Sequence, residues 1–317
     1  MKVYLDNAAT TPLDQEVLEA MLPLMRDQFG NPSSIHSFGR QARAAIEDAR
    51  KTVARLLNVS PSEIFFTSGG TEADNMAIQC SVFDHKITHA ITSKMEHHAV
   101  LHTLEMLAGR GVISLSFVNI DDSGHISLEH LESLLESNPR SLVSLMHANN
   151  EIGNLLPIKE VAELCVKYNA LFLSDTVQTM GHYNFDLQQI PVHFVTCAAH
   201  KFHGPKGVGF LYINNSVKIN PFIYGGSQER NMRGGTENVY GIVGLAKAME
   251  IACREMEAHH QHILGLKKYM ISQLKENISN VEFNGDCEGN CLYTVLNVSF
   301  PPNKAGEMLL FNLDISG

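Results

Sequence analysis

Polar residues follow two apolar segments in the middle of the chain, and their types and spacing could serve one cofactor. Asp175 comes directly after the apolar run 171–173, and His200 and Lys201 follow the apolar run 194–197. Both runs are short and without alternation, which is typical of buried parallel strands, whose carboxyl ends collect functional groups. A lysine at such an edge can form a Schiff base, and a nearby carboxylate can pair with the pyridinium nitrogen of pyridoxal phosphate. This pattern favours chemistry over solvated surface charges.

A glycine-containing segment, residues 67–72 (TSGGTE), follows the apolar run 64–66 and precedes a helical pattern. Its glycines would let backbone amides approach a ligand, and a helix N-terminus favours an anion. Thr71 could cap the helix or hold a phosphate through its hydroxyl. The segment matches neither the Walker lysine pattern nor G-x-G-x-x-G. A phosphate site and a plain helix cap both remain open from this segment alone.

Two further polar segments have several interpretations. His98 and His102 stand four residues apart, as zinc ligands can, although no third ligand is set up nearby. A flat imidazole packed on an aromatic cofactor and ordinary surface histidines are the alternatives. Asn149 and Asn150 follow another apolar run and could be turn residues or amides at the same sheet edge. No metal site is expected.

Apolar runs alternate with helical patterns from about residue 60 to residue 212, which predicts an α/β fold with a mainly parallel sheet covered by helices. The last strand follows its predecessor too closely for a crossover helix and is expected to be antiparallel. An amphipathic helix is predicted before this block, and a long helical segment with a break near Gly265 after it. We place a domain boundary near residue 250. The predicted strands are 64–66, 90–92, 115–118, 142–146, 171–173, 194–197 and 208–212.

Composition narrows the class of protein. The chain has 317 residues, 44% of them hydrophobic, and a formal net charge of −10. The acidic balance argues against a general nucleic-acid surface, and no apolar stretch approaches the length of a membrane span. The first residues leave no room for the apolar region of a signal peptide. The six cysteines are scattered, which favours reduced thiols and a cytoplasmic protein.

At this point the chain resembles the cysteine desulfurases, pyridoxal phosphate enzymes of the class V aminotransferase group. The matching segments occur in the family's order and extend over nearly the whole chain. They are residues 4–12 (YLDNAATTP), 30–36 (GNPSSIH), 67–75 (TSGGTEADN), 96–97 (EH), 147–153 (HANNEIG), 175–178 (DTVQ), 200–201 (HK) and 233–236 (RGGT).

The resemblance implies a role for each matching residue. Lys201 would form the Schiff base, Asp175 would partner the pyridine nitrogen, and His97 would stack on the ring. The expected cofactor-binding residues are Gly70, Thr71, His97, Asn150, Asp175, Gln178, Ala198, His200, Lys201 and Thr236. Within this set Gln178 would bond the phenolic oxygen, Asn150 would lie near substrate, and Thr236 would reach the phosphate of a second subunit.

The fold implied is that of aspartate aminotransferase-like, fold type I enzymes. It has a large domain with a seven-stranded sheet, residues 13–250, and a smaller α/β C-terminal domain, residues 1–12 and 251–317.

Two departures from the family stand out. Ala198 replaces a serine common in relatives, and the sequence stops at Gly317, before the family's nucleophilic cysteine and its carboxylate-binding arginine. We therefore expect a C-terminally truncated, inactive desulfurase with an incomplete small domain.

The implied reaction removes sulfur from L-cysteine, giving L-alanine and a persulfide for iron-sulfur cluster assembly or thio-modification. A homodimer and a sulfur-acceptor or scaffold protein are the implied partners, with no nucleic acid and no membrane. Two alternatives remain: a related lyase or aminotransferase such as a selenocysteine lyase, and a catalytically inactive scaffold with the same fold.

Overall fold

A seven-stranded sheet forms the centre of the protein. The computed structural model describes residues 2–302 and 306–316. The strand order is β1-β7-β6-β5-β4-β2-β3, with β7 antiparallel to both its neighbours and the other pairs parallel. A separate antiparallel pair, β8 and β9, lies in the C-terminal part. The strands are β1 (Ile64–Thr67), β2 (His89–Thr92), β3 (Ser114–Phe117), β4 (Leu142–Ser144), β5 (Leu171–Asp175), β6 (Phe194–Ala198), β7 (Gly209–Ile213), β8 (Glu282–Asn284) and β9 (Asn297–Ser299).

Helices cover both faces of this sheet, because the strands are apolar on both sides. Phe65 packs with α3 and α4 on one face, whereas its neighbours Ile64 and Phe66 pack with α1, α2 and α7 on the other. The helices are α1 (Gln15–Arg26), α2 (Ser37–Leu56), α3 (Gly70–Asp84), α4 (His98–Gly109), α5 (Leu128–Ser137), α6 (Ile158–Lys167), α7 (Val239–Asn277) and α8 (Leu309–Ser316). No helix in the described ranges is long and apolar enough to cross a membrane.

The long helix α7 differs from the sequence prediction at one point. A break was predicted near Gly265, but the helix runs through this residue without interruption. Gly265 is exposed and a Cβ there would meet no atom within 4 Å. A single exposed glycine costs a helix only about 1 kcal/mol, which the tertiary contacts of its two ends outweigh. The helix also passes unbroken through residue 250, where we place the domain boundary.

A buried ion pair holds the loop between β7 and α7 against the sheet. Arg50 of α2 donates to both carboxylate oxygens of Glu229 at 2.8 Å, and both side chains are nearly inaccessible to solvent. Glu229 also accepts the amide of Phe66 at 2.8 Å, although its own φ is 41°. The contacts therefore outweigh a left-handed backbone that a glutamate rarely adopts.

We expect Glu229→Ala to lower the free energy of unfolding by about 3–5 kcal/mol, because it leaves the Arg50 charge buried and unpaired. Urea denaturation followed by circular dichroism would measure this change. Glu250→Ala is the matched control, because it breaks the ion pair of Arg55 and Glu250, in which both side chains are exposed. That variant should lose less than about 1 kcal/mol. Similar losses in both variants would contradict the structural role of Glu229.

Candidate active site

One cavity of about 280 Å³ opens at the carboxyl edge of the sheet. The ends of β5 and β6, the loop after β4 and the start of α3 meet here, as expected where parallel strands end. The cavity is lined by Ala9, Gly70, Thr71, Asp74, His97, Met146, Asn150, Asp175, Val177, Gln178, Ala198, His200 and Lys201.

Asp175 is the last residue of β5 and is buried on the cavity floor. One of its carboxylate oxygens accepts the amide of Val177 at 2.8 Å. Burial raises the pKa of Asp175, while the Val177 amide and the charges of His97 and Lys201 oppose that shift. The remaining carboxylate oxygen can pair with a cationic ring nitrogen.

Lys201 ends the short 3₁₀ helix Ala199–Lys201 that follows β6. Its ammonium donates to the carbonyl of Ala8, which also accepts the side-chain amide of Gln178 at 3.0 Å. Burial lowers the pKa of Lys201, and the carboxylates of Asp175 and Asp6 oppose that shift. A lower pKa increases the fraction of neutral amine near pH 7, and the neutral amine is the form that acts as a nucleophile and accepts a proton.

The N-terminal segment closes one side of the cavity. Thr11 bonds the carbonyl of His200 twice, through its amide and its hydroxyl, both at 2.9 Å. Nδ1 of His200 lies 3.2 Å from the hydroxyl of Thr10. Burial and the neighbouring ammonium groups of Lys201 and Lys206 lower the pKa of His200. His200 is therefore neutral at pH 7 and can donate one hydrogen bond to an anion.

The imidazole of His97 stands over the cavity from the N-cap of α4. Its Nδ1 accepts the amide of Ala99 at 3.2 Å, which leaves Nε2 to carry a proton. Behind it, the rings of His98 and His102 stack with centroids 4.6 Å apart. Neither of these two residues lines the cavity. No cluster of three potential metal ligands occurs within residues 2–302 and 306–316.

The N-terminus of α3 is open toward the cavity. Its N-cap is Gly69, with φ of 152°, and no side chain caps the helix. A Cβ on Gly70 would come within 2.7 Å of Cγ2 of Val177, so only glycine fits beside that strand end. Free amides at the start of a 15-residue helix, with the Thr71 hydroxyl, form an anion site. The sequence left open whether this segment binds a phosphate or only caps the helix with a side chain. Among the described residues no side chain caps α3.

The donor set fits pyridoxal phosphate. Lys201 can hold an aldehyde carbon, Asp175 a pyridinium nitrogen, and the start of α3 a phosphate. His97 presents a flat ring to one side of the cavity. An amine, a buried carboxylate and an uncapped helix terminus in one space match the three chemically distinct ends of this cofactor.

Nine of the ten predicted site residues line this cavity, and Thr236 does not. Thr236 lines a separate cavity of about 140 Å³ with Ser68, Gly207 and Arg233. The sequence analysis missed four lining residues, Ala9, Asp74, Met146 and Val177. Asp74 could have been found from its position three residues after Thr71, which places both on one helix face. The other three are apolar and carry no sequence signal for a site.

Glu96 is buried next to this cavity, and its two carboxyl oxygens accept the hydroxyl of Ser93 and the amide of Met146, both at 2.9 Å. Burial raises the pKa of Glu96 from 4.5 to about 8. The stability contributed by its neutral form is therefore fully present below about pH 4.5 and is lost as pH rises through about 8.

We expect Glu96→Gln to remove part of this pH dependence, because a glutamine can accept the Met146 amide and donate to the Ser93 hydroxyl oxygen without ionising. The urea midpoint of the wild type should fall more steeply than that of the variant between about pH 5 and pH 9. The control is Glu105→Gln, at an exposed position of α4. A variant whose pH profile follows the wild type would show that Glu96 is ionised throughout.

Comparison with known proteins shows the family of this chain. A family model for class-V aminotransferases matches residues 3–317. Cysteine desulfurase IscS of Dictyoglomus turgidum is 46% identical, and the alignment covers 100% of this chain and 80% of that protein. Putative cysteine desulfurase IscS 1 of Bacillus subtilis is 42% identical, with 100% and 83% covered.

Solved structures show the same fold. A NifS-like protein has a TM-score of 0.93 and 41% sequence identity, covering 99% of this chain and 86% of that one. A structure described as SspA in complex with cysteine has a TM-score of 0.85 and 31% identity, with 99% and 87% covered. The predicted fold class and cofactor are confirmed. The chain belongs to the class-V aminotransferase family and, within it, to the pyridoxal phosphate-dependent cysteine desulfurases.

Proposed function

We propose that this chain removes sulfur from L-cysteine, so that L-cysteine and an acceptor thiol give L-alanine and a persulfide. The observation that carries the proposal is the meeting of Lys201, Asp175 and an uncapped helix terminus in one cavity. The resemblance to SspA, whose structure was solved in complex with cysteine, supports the substrate.

The chain's own residues would divide the work as follows. Pyridoxal phosphate, when bound, supplies an electron sink for negative charge that develops at the substrate Cα. Asp175 keeps a positive charge on the ring nitrogen. Lys201 would hold the cofactor, and its amine would move the Cα proton of the substrate. His97 limits the ring to one orientation, and Asn150 lies where the substrate enters.

The acceptor thiol is not among the residues that line the cavity. Cys197 is close in sequence to Ala198, but it is fully buried and belongs to the core on the helix α2 and α7 side of the sheet. Burial raises the pKa of the Cys197 thiol well above its usual value. Cys197 is therefore inert as a nucleophile. We propose that the sulfur passes to a thiol outside this set, on a segment or partner protein that can enter the cavity.

We further propose a homodimer in which Thr236 reaches the phosphate bound by the other subunit. The position of Thr236 outside its own chain's cofactor cavity, beside the loop fixed by Arg50 and Glu229, supports this role.

A division into a large domain, residues 13–250, and a smaller one, residues 1–12 and 251–317, is part of the same proposal. Lys267 in the second half of α7 donates to the carbonyl of Leu292, which supports a separate C-terminal packing unit.

The family assignment supports a cytoplasmic role in iron-sulfur cluster assembly or thio-modification, with a scaffold or acceptor protein as partner. The test of the reaction supplies pyridoxal phosphate, L-cysteine and dithiothreitol, and measures alanine and sulfide. We expect equal amounts of both products where dithiothreitol serves as the acceptor thiol, whereas a cofactor band without either product would agree with the inactivity expected from the sequence. Turnover of L-selenocysteine alone would assign the protein to the selenocysteine lyases. Absence of a visible cofactor band would instead indicate an inactive scaffold.

A further inference from the structure

Asp74 is a buried acid on the cavity floor with no assigned role. It lies one turn into α3, lines the cavity and is only 1% exposed. Its Oδ1 has no hydrogen-bond partner among the described residues. An orphaned carboxyl oxygen in such a place is costly unless the group is neutral or a neighbour shares a proton with it.

Thr196 links Asp74 to the predicted partner of the pyridine nitrogen. It stands opposite Asp175 in the register of β5 and β6. Its hydroxyl oxygen is buried and also lacks a partner in the described part of the chain. Asp74 and Asp175 line the same cavity, and the Thr196 hydroxyl lowers the pKa of each carboxyl group against the effect of burial. The two acids and the hydroxyl therefore form one small polar group inside the protein.

The charges around this group decide which acid is ionised. Burial and the charge of Asp175 raise the pKa of Asp74, and the Thr196 hydroxyl opposes that shift. Asp175 faces the Val177 amide, His97 and Lys201, which all favour its charged form. Two negative charges so close together in a buried site are unfavourable. The proton shared by the pair therefore belongs on Asp74.

We propose that Asp74 is a positioning residue that remains protonated, so that one negative charge, on Asp175, faces the ring nitrogen and is held there through Thr196. The inference rests on the proposed role of Asp175. It adds a second acid that never touches the reacting atoms and instead fixes the charge and orientation of the first.

Infrared spectroscopy of the apoprotein tests the protonation without any cofactor or activity. The C=O stretch of a neutral carboxyl is separate from that of a carboxylate. At about pH 7 we expect neutral-carboxyl bands from Asp74 and Glu96, with Asp74→Asn removing one and Glu96→Gln removing the other. Asp48→Asn, at an exposed position of α2, is the matched control and should remove neither. A spectrum unchanged by Asp74→Asn would overturn the proposal.

Loaded protein tests the positioning role. Asp74→Asn replaces one neutral group by another, so the pH midpoint of the visible cofactor band should stay within about 0.3 units of the wild type. An ionised Asp74 would instead give a shift of about one unit or more, which would contradict the proposal. Asp74→Ala removes the carboxyl group from the cavity lining and should weaken pyridoxal phosphate binding about tenfold, whereas Asp74→Asn should restore it to within about twofold. Equal weakening of cofactor binding in both variants would indicate that a negative charge is needed at position 74, which contradicts a protonated Asp74.

Discussion

Lys201→Ala is expected to abolish the visible absorption band of lysine-linked pyridoxal phosphate. Lys201 is the only lysine lining the cavity within the described residues, and its ammonium donates to the carbonyl of Ala8. Without an amine there, the aldehyde has no covalent partner in the site. Turnover of L-cysteine should fall by at least about a thousandfold, because the same amine also moves the Cα proton.

The measurement combines the visible spectrum with borohydride reduction, which makes the lysine linkage permanent for peptide mapping. In the wild type the label should be found on Lys201. Lys206→Ala is the matched control, since Lys206 lies five residues further on and is exposed. It should keep the band and the label. Recovery of a normal band in Lys201→Ala, or a label on another lysine, would contradict the assignment.

The residues at the carboxyl edge of the sheet were predictable from the sequence, because they directly follow the apolar runs that form the strands. Asp175 and Lys201 each follow a run that reads as a buried parallel strand, and the structure confirms β5 and β6 as adjacent and parallel. The antiparallel direction of β7 was also predicted, because too few residues separate β7 from β6 for a crossover helix. Residues that share this edge are brought together by topology alone.

Other features depend on packing that no local pattern reports. Asp74 reads as a polar position in an ordinary helix, and only the tertiary fold shows that it is buried and that its Oδ1 has no partner among the described residues. Gly265 reads as a helix break, yet α7 continues because contacts on either side outweigh the cost of one glycine. The location of Thr236 likewise depends on the loop that contains Glu229. The ion pair between Glu229 and Arg50 fixes this loop, and these two residues are 179 positions apart in the sequence.

The absence of a serine at position 198 illustrates how the structure changes a sequence argument. The sequence predicts one hydroxyl fewer near the phosphate. In the structure Ala198 is buried, and an added Cβ on Gly70 would lie 3.9 Å from its methyl group. The anion site at this point consists of the uncapped start of α3 and the Thr71 hydroxyl. We therefore propose that the phosphate is held mainly by the helix terminus, which needs no side chain at position 198.

Asp175→Ala is expected to bind pyridoxal phosphate and yet lose turnover by about a thousandfold or more. We propose that the phosphate, ring-stacking and lysine contacts would come from α3, His97 and Lys201, so the cofactor should keep most of its attachment. The ring nitrogen, however, loses the carboxylate that holds its proton. An uncharged ring is a poor electron sink, so the loss should appear in kcat rather than in KM.

The comparison with Asp175→Asn separates charge from shape. The side-chain oxygen of an asparagine can still accept the hydrogen bond from the Val177 amide, but asparagine carries no negative charge. If the charge is what stabilises the protonated ring, both variants should lose alanine formation to a similar degree while retaining the visible band. If position alone matters, asparagine should retain most of the activity. Near-normal alanine formation in Asp175→Ala would refute the role of this carboxylate, and it would also remove the reason for a protonated Asp74 beside it.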